Sequence, residues 1–145
     1  MIENGLYKLK EKYYSDFPNE NHIHIKAGRP FYYAVKSNHG IYWLIPISSQ
    51  AENYKRKIRE VENKRGEGNC ILYHIGNIAN RERAFIICNI LPVTVEYIED
   101  TFTIDNKHYI VKNQKLIREV SEKTRNYIKQ LELGRMYSQI DALAI

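Results

Sequence analysis

The sequence predicts an α+β fold: a compact, strongly bent antiparallel β-barrel or sheet with flanking α-helices packed outside it. Three observations carry this. Aromatic and β-branched runs recur at short spacing through the first two-thirds of the chain, turn residues separate them, and two later segments show apolar residues at helical period. A chain of 145 residues suits one domain spanning residues 1–145, long enough to bury a core without disulfides.

The opening segment Tyr7–Lys10 suits a strand, although Leu6, Leu9, Tyr13 and Phe17 also fit a helix. Phe31–Val35 and Ile41–Ile45 read as two strands of a hairpin, turning through the polar stretch Lys36–Gly40. A helix is expected over Gln50–Lys64, where Ala51, Tyr54, Ile58 and Val61 form an apolar stripe, ending at Gly66-Glu67-Gly68. Strands follow at Cys70–Ile75, Ala84–Leu91 and Val93–Ile98. A last pair, Phe102–Ile104 and His108–Val111, turns at Asp105-Asn106, residue types that tolerate tight turns. Leu116, Ile117, Val120, Thr124, Tyr127, Ile128 and Leu131 mark a longer amphipathic helix over Gln114–Leu133.

Composition narrows the function classes. No apolar run approaches the roughly 18 residues of a membrane span, and Met1–Gly5 does not open a signal peptide. Cys70 and Cys88, both in apolar sequence, read as buried reduced thiols, so a cytoplasmic protein is expected. Net charge is +5, and twelve tyrosines accompany it. Cationic groups neutralise phosphates and phenol rings stack on bases, which points to a nucleic-acid partner.

Chemistry concentrates at two places. At Ile45-Pro46-Ile47-Ser48-Ser49 a strand gives way to a basic helix, so two hydroxyls stand beside the free N–H groups of a first turn, a setting that favours an anion. Ser49-Gln50-Ala51-Glu52 also fits a capping box, in which Ser49 only caps the helix and Glu52 reaches back. The second place is His22-Ile23-His24-Ile25-Lys26-Ala27-Gly28-Arg29, which gathers two imidazoles, an ammonium and a guanidinium before a strand. No Cys, Asp or Glu nearby completes a zinc-like set with these histidines, so no metal and no cofactor is expected. The segment reads instead as a phosphate-holding approach or a solvated loop. His74, on an expected strand, reads as a structural histidine.

Arg29-Pro30-Phe31, the run Gly40-Ile41-Tyr42-Trp43-Leu44-Ile45-Pro46-Ile47-Ser48-Ser49 and the basic helix after it resemble the ToxN/AbiQ/CptN family, toxins of type III toxin–antitoxin systems, and the CptN branch above all. Cys70-Ile71-Leu72-Tyr73-His74, the apolar strand Ala84–Val93 and Leu131-Glu132-Leu133-Gly134-Arg135-Met136 extend the likeness over nearly the whole chain. The resemblance implies an antiparallel barrel related to the MazF/Kid toxins. It implies a metal-independent endoribonuclease that cuts single-stranded, adenine-rich cellular or phage mRNA. It also implies a repeated pseudoknot RNA antitoxin, trimmed and bound by the toxin in a closed protein–RNA assembly that serves phage defence and plasmid maintenance.

Carried onto this chain, the family's paired hydroxyls fall on Ser48 and Ser49, and its active-site lysine falls on Arg29, which stays protonated and cannot act as a base. The family's tyrosine four residues earlier is Ile25 here, leaving Lys26 as the nearest proton-transfer group. Its lysine after the serines is Ala51, leaving Tyr54 and Lys55 one turn later. The expected cleavage is attack by the RNA's own 2′-hydroxyl, which yields 2′,3′-cyclic phosphate and 5′-hydroxyl ends and needs no protein nucleophile. Ser49 and Ser48 would hold the phosphate, Arg29 would stabilise charge, and Lys26 would move a proton. Antitoxin and substrate backbones would be bound by Tyr54, Lys55, Arg56, Lys57, Arg59, Lys64 and Arg65, together with Lys112, Lys115 and Arg118. The alternative is a non-catalytic RNA-binding β-barrel module with the same surface.

Overall fold

The computed structural model describes residues 1–17, 29–36 and 40–133. Strand β1 (Leu6–Leu9) runs into a short helix α1 (Glu11–Asp16), so the opening segment is strand first and helix after, as its mixed periodicity allowed. Then come β2 (Phe31–Lys36), β3 (Tyr42–Ser48) and helix α2 (Ala51–Arg65). Strands β4 (Tyr73–Ile78) and β5 (Arg81–Ile86) follow, with β6 (Leu91–Val93) and β7 (Ile98–Thr101) after them. A small hairpin, β8 (Thr103–Ile104) and β9 (Lys107–His108), precedes helix α3 (Gln114–Glu132).

The sheet is antiparallel but open, which overturns the expected strongly bent, closed barrel of MazF/Kid type. Its order is β4-β5-β3-β2-β1-β7, and the outer strands β4 and β7 do not meet. Strand β6 leaves this path by pairing with the first half of β3, Tyr42 opposite Val93, while β5 takes the far end of β3, Ser48 opposite Ala84. Closure would have removed the free edges at β4 and β7; in the open sheet α2 packs on β4 and β5 and α3 on β2, while Tyr13 of α1 joins Leu44 and Leu91 in the core of the other face. Two expected strands were also too long. A 3₁₀ turn at Ile87–Asn89 breaks Ala84–Leu91, and another at Val95–Tyr97 breaks Val93–Ile98.

Alternation along β2 divides the aromatic run between two cores. Tyr32 lies on one face with Leu6, Ile45, Ile47, Phe85 and the α3 residues Val120 and Tyr127. Phe31 and Tyr33 lie on the other with Tyr7, Tyr13, Leu44, Leu91 and Val93. Each large side chain taken wholly out of water contributes roughly 1.5–3 kcal/mol. The buried Tyr127 hydroxyl donates to the Cys88 carbonyl at 3.2 Å, so its polar tip is satisfied where its ring is dry. Cys70 and Cys88 are both free and buried.

Helix α3 begins where the Asn113 side chain accepts the Leu116 N–H at 3.1 Å, and its buried stripe is Leu116, Val120, Thr124, Tyr127 and Leu131. Helix α2 ends at Gly66, whose positive φ of 98° suits glycine and whose N–H donates to the Glu62 carbonyl. No helix among the described residues is long and apolar enough to cross a membrane.

Candidate functional site

The end of β3 sends the two serines to different tasks, since Ser48 is its last residue and Ser49 lies just beyond it. Ser48 is buried, at 4% exposure, and its Oγ accepts the Gln50 N–H at 3.1 Å, fixing the turn into α2. Ser49 is exposed and opens onto a cleft. The expected capping box does not form. Gln50 is the N-cap and makes no side-chain capping bond, while Glu52 accepts from Lys55 at 3.1 Å. Ser48 has taken over the turn, and the Ser49 hydroxyl has no hydrogen-bond partner among the described residues.

The cleft has a volume of about 770 Å³. Arg29 and Ser49, from segments twenty residues apart, stand on its rim together with Arg81 and Arg83 of β5. Pro30, Phe102 and Ile104 supply its accessible apolar lining above the buried Leu6, Ile47 and Ile78, and Asp105 joins it from the tip of the β8–β9 hairpin. Arg29 and Ser49 thus line the same cleft. The burial of Ser48 places the other expected phosphate ligand on a structural hydrogen bond, a correction to its assigned role. Lys26, His22 and His24 lie outside the described residues.

Arg81 and Arg83 were missed by sequence reasoning. They sit two apart at the head of an apolar strand, a period-two pattern that puts both on one side of β5. The signal was there, but only the pairing of β5 with β3 carries it to Ser49. Glu82, between them, turns the other way and holds Lys55 at 2.8 Å.

The ten expected RNA-binding residues do not line the cleft. Lys55 bridges Glu52 and Glu82, and hydrogen bonds to Glu82 first and Glu52 second raise its pKa, so its charge is already matched. Lys57 lies 4.8 Å over the Tyr54 ring, which packs on Tyr73 at 5.1 Å. Burial raises the Tyr54 pKa, with Arg29 acting against it, so this phenol stays protonated and offers no phenolate as a base. Arg56 donates to Asn53 at 2.7 Å. Arg59, Lys64, Arg65, Lys112, Lys115 and Arg118 are exposed along the helices and their approaches.

Away from the cleft, the structural reading of His74 fits its surroundings. Its Nδ1 lies 2.9 Å from the Lys123 ammonium. Burial, and then the Lys123 charge, push its pKa down to about 4, with Glu119 opposing. The unfolded chain therefore takes up a proton near pH 6.5 that the folded chain refuses until about pH 4. Stability contributed by His74 is complete above pH 6.5 and is lost as pH falls toward 4. Urea unfolding at pH 7 and pH 5 is expected to show a loss of about 1–2 kcal/mol from this group. His74→Gln, which keeps an acceptor for Lys123, should remove that part of the pH dependence.

Among the described residues no three His, Cys, Asp or Glu side chains converge as a metal-ligand set. A scan against protein-family models finds no match to this chain, and a search of curated proteins finds none either.

Proposed function

We propose that this protein is a metal-independent endoribonuclease that cuts single-stranded RNA in the Arg29–Ser49 cleft, the toxin of a type III toxin–antitoxin system as its resemblance to the ToxN/AbiQ/CptN family implies. The observation that carries the reading is the meeting of Arg29, Ser49, Arg81 and Arg83 around one cleft with apolar lining. Guanidiniums and a hydroxyl suit phosphodiester oxygens, and the apolar lining suits an unpaired base. A duplex has no splayed base to offer such a lining, so a single strand is the better fit.

In this mechanism the 2′-hydroxyl attacks the adjacent phosphorus, the 5′-oxygen leaves, and a 2′,3′-cyclic phosphate remains. Ser49 donates to a non-bridging oxygen, and Arg29 neutralises the charge that grows there. The arginines hold the strand on either side, which fixes the in-line geometry. No arginine serves as the base. Proton transfer is assigned to Lys26, since Lys55 is tied to two carboxylates. The exposed cations Arg59, Lys64, Arg65, Lys112, Lys115 and Arg118 would bind the folded backbone of a repeated pseudoknot antitoxin in the cytoplasm, with strong salt dependence.

The cleft of three arginines without a described base also suits an RNA-binding module that does not cut. Incubating the purified protein with a labelled single-stranded RNA in excess chelator separates the two. Cleavage that persists and leaves cyclic-phosphate ends is the expected result. Salt-sensitive binding with intact RNA would favour the module.

A further inference from the structure

Asp105 is out of place in a cleft made for anions. It sits at the tip of the β8–β9 hairpin, where it and Asn106 take positive φ values of 53° and 63°. Aspartate and asparagine tolerate that conformation, which accounts for the turn but not for a carboxylate beside the phosphate-binding groups. Asp105 lines the same cleft as Arg29, Arg81 and Arg83, yet it forms no ion pair among the described residues. An acidic group here weakens the hold on a bare anion. It helps only a ligand that brings hydrogen-bond donors along with its phosphate.

We propose that Asp105 is a specificity-determining residue that accepts a hydrogen bond from the exocyclic amino group of an unpaired base, so that the cleft takes adenine or cytosine in preference to uracil. This rests on the reading of the cleft as an RNA site. The base lies against the half-buried Pro30, Phe102 and Ile104, its phosphate reaches the arginines, and its amino edge faces the hairpin. A carboxylate is an acceptor only, as recognition of the cytosine amino group requires. Uracil presents the O4 oxygen at the corresponding position and meets repulsion instead. The hairpin is well held for such a task. The Phe102 N–H donates to the Leu6 carbonyl at 2.9 Å, and the Leu6 N–H to the Tyr109 carbonyl at 3.0 Å. Gly5 lets the two segments come close, since a Cβ there would lie 2.8 Å from the His108 ring.

The test uses uncleavable 2′-O-methyl pentamers of C and of U, two pyrimidines that differ in the amino group and stack alike. Fluorescence anisotropy at fixed low salt is expected to show C binding about tenfold tighter than U to the wild-type protein. Asp105→Gly, which tolerates positive φ, and Asp105→Asn should bring the two within about twofold, largely by improving U. Arg83→Ala should weaken both equally. Equal binding of C and U to wild type, or a gap that survives Asp105→Gly, overturns the assignment of Asp105 while leaving the cleft an RNA site. Failure of both pentamers to bind, with Arg83→Ala without effect, overturns the RNA reading and this inference with it.

Discussion

A Ser49→Ala protein is expected to cleave single-stranded RNA about 10²–10³-fold more slowly than wild type, by analogy with the loss of one donor from an oxyanion hole. Its unfolding free energy should stay within about 0.5 kcal/mol of wild type, because the hydroxyl is exposed and holds no described group in place. Ser48→Ala should do the reverse. Its Oγ, buried and accepting the Gln50 N–H, contributes about 1 kcal/mol to stability and touches no part of the cleft. Single-turnover cleavage and urea unfolding on both variants check the pair of expectations. A Ser48→Ala protein that is stable but inactive would move the phosphate site off Ser49.

Truncating Phe85 to alanine should cost about 3–5 kcal/mol of folding free energy. The ring is fully buried and meets Tyr32 edge-on at 5.3 Å between centroids. It lies opposite Ile47 in the β3–β5 ladder, so a cavity there also loosens the strand pair that sets Arg83 beside Ser49. Val95→Ala, at a side chain 61% exposed, should shift stability by less than about 0.5 kcal/mol. Urea midpoints with unchanged slopes for the two proteins would check both values.

Local signals in the chain foretold the helices well. The stripes of α2 and α3 repeat at helical period, and glycine or asparagine stands at their ends, so neither needed knowledge of distant residues. Strand identity was legible in the same way, and so was the Asp105-Asn106 turn. Whether β4 and β7 meet was not, because alternation is identical in a closed and an open sheet. The site shows the same division. Arg29 and Ser49 flank two strands that pair as neighbours, Phe31 opposite Pro46, so their proximity followed from one hairpin. Arg81 and Arg83 reach the cleft only through a ladder between segments more than thirty residues apart. The capping-box motif misled because Ser48, one position earlier, satisfies the turn.

The β8–β9 hairpin pairs with itself alone, while the residues at its base are pinned to Leu6. Its tip can therefore be exchanged without refitting the ladder of the larger sheet. A library that varies Thr103 and Lys107 freely and residues 105 and 106 among Asp, Asn and Gly, with Ile104 kept against the core, should yield folded proteins at high frequency, with ligand preferences that diverge while the arginine wall stays constant. The architecture separates the part that recognises from the part that holds, so retargeting and folding become nearly independent engineering problems.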